Sequence, residues 1–256
     1  MSIIHLFESV FLWEFCVIGA FVIAISGRHG AAETLARAPA LDAIVAATTW
    51  LPWGYALVRG GISALLTCFL AQFLAASLVC MLHTRFHTRM RGQEASPLRK
   101  TLGGIVGPTR VVVGFWLTTL ALPAFLVIRL GQVTAYPLLS FTLGFPKYRH
   151  GEWIRISRQK FEGLIGLDLL WCLYCEWAAG VYSLGGEMIR NNESFWCPIR
   201  FYDQKHCGNC RTDFPDLAQW IPLDSGKMDD VKKKLKETYT HQPADARGWY
   251  GYQRKP

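Results

Sequence analysis

Residues Gly61 to Leu82 form an uninterrupted uncharged stretch, GISALLTCFLAQFLAASLVCML. At a rise of about 1.5 Å per residue, a helix of that length crosses the roughly 30 Å hydrocarbon layer of a bilayer. No soluble domain has an obvious use for such a segment, and it is not alone. A second apolar block runs from about Phe11 to Ile25, a third from Val111 to Ile128 and a fourth from Phe161 to Leu184. Charged residues, only 18% of the chain, are crowded into the stretches between them. This partition predicts an all-α, polytopic transmembrane helix bundle of four to five spans. Residues 1–189 form the membrane domain, and residues 190–256 an extramembrane, loop-rich, cysteine-containing tail with one short helix.

The net charge is +8. Its carriers flank apolar blocks, where Lys and Arg set orientation by the positive-inside rule. No nucleic-acid-binding motif accompanies them, so we expect the lipid bilayer and not nucleic acid as the partner of this charge. The second basic loop, Lys147–Lys160, lies on the opposite side from the first if residues 130–145 only rest at the surface, and on the same side if they cross; the first, His83–Arg110, is expected on the cytoplasmic side of a membrane of the bacterial inner-membrane type. The tail is expected on that side too. Met1–Val10 lacks the basic region of a cleaved leader, so the first block is read as a retained span.

Several details of the spans can be anticipated. Glu14 interrupts the first block and should face other helices. Ala71 and Ala75 form a small-xxx-small face suited to close packing. Leu41–Val58, rich in tryptophan and broken by Pro52 and Gly54, reads as an interfacial helix in preference to a short span. Pro123 should kink the third block. If both basic loops share a side, residues 111–145 must make a two-pass hairpin.

The eight cysteines are unevenly placed. Cys16, Cys68 and Cys80 lie alone in apolar blocks and read as small buried hydrophobes. The other five occur in WCLYCEWAAGVYSLGGEMIRNNESFWCPIRFYDQKHCGNC. Two C-x2-C pairs, Cys172/Cys175 and Cys207/Cys210, have the spacing of zinc-ligand pairs. An unbroken helix would carry Cys172 about 22 Å from Glu187, which argues against pooling the two pairs. Cys197, Cys207 and Cys210, with His206 as a fourth donor, form the better candidate metal site. Zinc suits it best, with iron–sulfur or no metal as alternatives, and a disulfide if the tail faces an oxidising compartment. Haem is not expected, because the histidines sit at span ends and in loops and no CxxCH occurs. His83 and His87 share a helical face but read as part of a basic interfacial helix end.

The last block carries a polar stripe. Asp168, Cys172, Cys175, Glu176, Ser183, Glu187 and Arg190 fall within an arc of about 120° at about 100° per residue. Such a stripe must face protein, as a helix–helix contact or as the lining of a pocket. Asp168, Cys172, Cys175, Glu176 and Glu187 are therefore the candidate catalytic residues. The two cysteine pairs resemble those of membrane thiol oxidoreductases of the disulfide-forming, quinone-reducing type and of the vitamin K epoxide reductase type. The resemblance covers four residues and implies thiol exchange with a quinone.

Three functions compete. The first is an accessory subunit of a membrane complex, docking through a metal-stabilised tail. Its anchors would be Phe195, Trp196, Phe201, Tyr202, Phe214, Trp220, Trp249, Tyr250 and Tyr252. The second is a thiol/quinone oxidoreductase, and the third a lipid-processing enzyme using an acid of the stripe.

Overall fold

A computed structural model describes residues 2–26, 30–91, 98–200 and 219–240. The described residues are mostly helical and contain no strand beyond two isolated bridges. Three apolar runs are long enough to cross a membrane: Ile3–Ser26, Ala40–Arg89 and Pro108–Leu143. The chain divides into two compact units. One comprises Met1–Leu122 with His150–Gly180, the other Pro123–Arg149 with Val181–Pro256.

The first unit is built on α1 (Ile3–Ser26), the short α2 (Gly30–Leu35), α3 (Ala40–Thr48) and α4 (Trp50–Arg91). Helix α4 is in fact two arms. Gly60 (φ −158°, ψ 17°) and Gly61 (φ 62°, ψ −146°) leave helical geometry, and the chain reverses there. The contacts prove the reversal. Trp53 Nε1 donates to Gln72 Oε1 at 2.8 Å, Gln72 Nε2 donates to the Thr48 carbonyl at 2.8 Å, and Trp53 packs edge-on against Phe69 at 5.2 Å. In a straight helix Trp53 and Gln72 would stand about 28 Å apart. The midpoints of these pairs fall within about two residues of Gly60–Gly61, as a helical hairpin requires.

The expectation of an interfacial helix at Leu41–Val58 is thereby corrected. That segment packs back along the second arm and α1. Pro52 does not break it, because Pro52 is the third residue of α4, where a backbone N–H has no intrahelical acceptor to lose. The same reason governs Pro108, Pro123 and Pro137, each within the first turn of its helix. Pro123 therefore starts a helix and does not kink one.

Helix α1 runs parallel to the second arm. Leu6 and Val10 meet Ala56, Ala64, Cys68 and Ala71 near its start, and Ile18 and Val22 meet Val79 further on. Ala64, Cys68, Ala71 and Ala75 recur every three to four residues and are almost wholly buried. Their small side chains form the close-packed seam.

The basic segments of this unit gather at the end marked by Ser26 and His83. Arg155 forms an isolated antiparallel bridge with Arg37, with Ala38 N–H on the Ile154 carbonyl (3.0 Å) and Ile156 N–H on the Ala36 carbonyl (2.8 Å). Gly166 N–H donates to His83 Nδ1 at 3.1 Å. Helices α5 (Leu98–Val106) and α6 (Pro108–Thr119) follow, and α6 packs Trp116 on Phe73 at 4.7 Å. The apolar run continues as α7 (Leu122–Val133) and α8 (Ala135–Leu143). The chain then returns to the first unit at α9 (His150–Trp153) and a 3-10 turn, Arg158–Lys160.

Helix α10 (Gly166–Trp196) is the second long element. It begins in the first unit and ends in the second. Its length, 31 residues, suffices for a crossing, yet it is not among the three apolar runs. The basic segment lies along its first half. Glu176 accepts from Ser157 and Arg158, and a Cβ on Gly180 would stand 2.6 Å from the Trp153 carbonyl. Charged loop backbone of this kind has no place at mid-bilayer. The expectation that Phe161–Leu184 is a plain span is corrected accordingly, and the helix itself starts only at Gly166.

In the second unit, the end of α10 supports α7, α8 and α11 (Met228–Tyr239). Phe195 packs on Phe145 and on Tyr239, each at 5.2 Å, and Trp220 and Val231 are buried. The N-cap of α11 is Lys227, whose N–H is taken by the Asp230 carboxylate at 2.9 Å. Ile199 pairs with Ile221 through Arg200 N–H to the Ile221 carbonyl (2.9 Å) and Ile221 N–H to the Pro198 carbonyl (2.8 Å).

Candidate functional site

Helix α10 carries all five candidate catalytic residues, and each is accounted for by its surroundings. The first backbone N–H groups of a helix have no internal partner and attract anions. Asp168 serves α5 in this way. Its Oδ2 accepts from Leu98 N–H at 2.7 Å, and its Oδ1 lies 3.5 Å from Arg99 Nε. Glu176 does the same for the 3-10 turn, accepting from Ser157 N–H (2.8 Å), Ser157 Oγ (2.6 Å) and Arg158 N–H (3.0 Å). Both carboxylates act as receptors for loop backbone.

Glu187 lies in the second unit and is 1% exposed. Arg190 donates to it at 2.5 Å and the Tyr148 hydroxyl at 3.3 Å. Asn191 Nδ2 donates to the hydroxyls of Tyr136 (3.2 Å) and Tyr148. Nearby, Arg129 donates to Gln132 at 2.9 Å, and Gln132 donates to the Val181 carbonyl at 2.7 Å. Burial, then the neighbouring Tyr136 and Glu187, push the Tyr148 phenol well above its usual value. A buried carboxylate saturated in this manner fixes one arrangement of its neighbours.

Cys172 and Cys175 are half-buried free thiols one helical turn apart. Regular helix holds such a pair wider than the roughly 3.8 Å between Cβ atoms that a disulfide needs. Burial, and then Cys172, push the Cys175 thiol up, which lowers its thiolate fraction. Of the stripe only Glu187 is buried, Ser183 is exposed and the rest are half-buried, and its acids are dispersed over two units and not gathered around one reacting centre.

Of the expected metal ligands, only Cys197 is described. It is exposed and free, immediately beyond α10. His206, Cys207 and Cys210 lie outside the described residues, as do the aromatic residues Phe201, Tyr202, Phe214, Trp249, Tyr250 and Tyr252. Among the described residues no three His, Cys, Asp or Glu side chains are grouped to hold a metal ion. The aromatic anchors need correction. Phe195 and Trp220 are spent on the core of their own unit, and Trp196 alone of the three described is exposed, at 62%.

Sequence reasoning missed one polar node. Gln72 joins the first arm of α4, the second arm and α3, and its side chain also meets Glu14 of α1. Glu14 is 4% exposed. Trp13 adds a bond from Nε1 to the Ala47 carbonyl at 2.8 Å. The signal was present, since Gln72 is the sole amide in the uncharged stretch Gly61–Leu82.

Together these features define a helical membrane-type protein with apolar runs, a common basic end and a long polar-striped helix that organises its loops. No protein-family model, curated protein or solved structure matches the chain.

Proposed function

We propose that the chain is a non-catalytic, partner-binding subunit of a membrane complex, with a cysteine-rich tail stabilised by zinc. The observation that supports this reading is the engagement of Asp168, Glu176 and Glu187. Each is used to hold backbone, tyrosine or arginine groups, which is the behaviour of a scaffold. Exposed Trp196, beside Cys197 at the start of the tail, is the anchor for the partner. The decisive experiment places a photo-crosslinking amino acid at Trp196, with Tyr182 as the comparison, in the full chain within its own membrane. A discrete, stoichiometric adduct specific to Trp196 is expected. A monomeric mass with no adduct at either position overturns the reading. Metal analysis of the purified chain should give one zinc, lost in Cys207→Ser.

The sequence calls for four to five passes. The geometry favours three crossing helices, namely α1, Ala40–Gly60 and Gly61–Leu82. The apolar run Pro108–Leu143, 36 residues long, is a further candidate crossing. The basic segments of the first unit gather at the end marked by Ser26 and His83. The positive-inside rule makes that end cytoplasmic.

A second reading, thiol/quinone exchange, is favoured by the free, paired Cys172 and Cys175. It predicts a redox-sensitive gel shift that disappears in Cys172→Ala. The lipid-processing alternative predicts that Asp168→Asn folds normally and loses activity. The cap that Asp168 provides for α5 predicts a loss of stability.

A further inference from the structure

The basic end of the first unit contains a cleft of about 770 Å³. It opens beside Ser26 and His83, one residue beyond the uncharged stretch that ends at Leu82. Its cations are Arg37, Arg155 and Lys160, and the imidazoles of His83 and His87 face it as well. Glu33 and Glu162 are its acids, and Glu33 is already paired with Arg37 at 2.6 Å. Ser157 adds a hydroxyl. Ile25, Phe161 and Leu169 supply an apolar wall.

Three observations call for an anion here. The antiparallel bridge puts Arg37 directly opposite Arg155, and like charges so placed destabilise each other unless something lies between them. Among the described residues Arg155 and Lys160 form no ion pair, although both line a concave surface. His83 Nδ1 accepts the Gly166 N–H, which leaves the proton on Nε2, a buried donor with no acceptor among the described residues. Two guanidinium groups, an ammonium group and an imidazole N–H, backed by apolar side chains, suit a tetrahedral oxyanion carried on an apolar body.

We infer that this cleft binds a phosphate-bearing anion, through chemistry shared by an acidic phospholipid headgroup and a soluble phosphomonoester. Arg155 and Lys160 carry the recognition. Arg37, tied to Glu33, flanks the site, and the wall at Ile25, Phe161 and Leu169 accommodates what the phosphate is attached to. This site is independent of the partner-binding reading, because it shares no residue with Trp196 or the tail.

The test uses the full chain in a neutral maltoside detergent and isothermal titration calorimetry. The probes are dihexanoyl phosphatidic acid, inorganic phosphate and dihexanoyl phosphatidylcholine. Saturable one-to-one binding of phosphatidic acid is expected, weakened at least tenfold in Arg155→Ala/Lys160→Ala. It should be unchanged in Lys232→Ala/Lys233→Ala, which removes the same charge from α11. Competition by inorganic phosphate supports the site with a soluble phosphoester as source. Lack of competition, with binding retained for phosphatidic acid, supports it with a lipid as source. Absence of saturable binding by either anion overturns the inference, as does equal affinity for phosphatidylcholine or equal loss in both double variants. Thermal melts of each variant check folding, and Arg155→Gln replaces the double variant if that one fails to fold.

Discussion

Gly61 offers a clean test of the helical hairpin, because nothing but backbone conformation is at stake there. Its φ of 62° with ψ of −146° lies in a region that side-chain-bearing residues hardly visit, and a Cβ added there meets no atom within 4 Å. Gly61→Ala therefore adds no clash and loses no contact. Its cost is the strain, about 1–3 kcal/mol, less the roughly 0.4–1 kcal/mol by which alanine restricts the unfolded chain. A net loss of roughly 1–2 kcal/mol raises the unfolded fraction about 5- to 30-fold. The control is Gly19→Ala in α1, also with open space at Cβ, where alanine should be neutral or stabilising by up to about 1 kcal/mol. Gly60→Ala should be worse than the control, since its Cβ would stand 2.9 Å from that of Ala64. The assay is reversible unfolding by dodecyl sulfate in mixed micelles, followed by tryptophan fluorescence. If Gly61→Ala unfolds together with Gly19→Ala, the reversal at Gly60–Gly61 is wrong, and Trp50–Arg91 is one continuous rod.

Glu176→Ala should free the segment around Ser157 and cost about 1–3 kcal/mol, since three hydrogen bonds to a partly exposed carboxylate are lost. Faster amide exchange at Ser157 and Arg158 is the readout, and unchanged exchange would count against the loop-receptor role. Gly180→Ala puts a Cβ 2.6 Å from the Trp153 carbonyl and 3.0 Å from Ile154 Cα, so it should displace the same segment at a cost of about 1–3 kcal/mol in the same unfolding assay. Gln72→Leu removes the bonds to Trp53 and Thr48 and should cost about 0.5–2 kcal/mol, with Trp53 fluorescence shifting as its Nε1 partner disappears.

The seam of the membrane domain was legible because it is a local pattern. Ala71 and Ala75 announce close packing by spacing alone, and Glu14 announces a protein-facing side by its cost in lipid. The hairpin was obscured for a different reason. Pro52 and Gly54 are more conspicuous than Gly60–Gly61, yet a proline in the first turn of a helix removes no bond, whereas a Gly-Gly pair between two apolar runs permits reversal. The stripe on α10 was legible as a row of polar residues, but neither its exposure nor its use was, for Ser183 is exposed and only Glu187 is buried. The partners of Asp168 and Glu176 are main-chain N–H groups of Leu98, Ser157 and Arg158, and main-chain groups leave no trace in residue identity. Phe195 and Trp220 were misassigned because an aromatic residue in a polar segment looks the same whether it anchors a partner or fills the small core of its own unit.

The pairing of Ile199 with Ile221 has a practical consequence. Arg200 and Gln219 are held near each other by main-chain bonds of residues that flank the stretch between them. Main-chain bonds thus clamp the two described ends, the posts of this unit, to each other. A short graft joining Arg200 to Gln219 should leave α11 and buried Trp220 in place, and a reporter domain inserted at the same junction should fold without prying the posts apart.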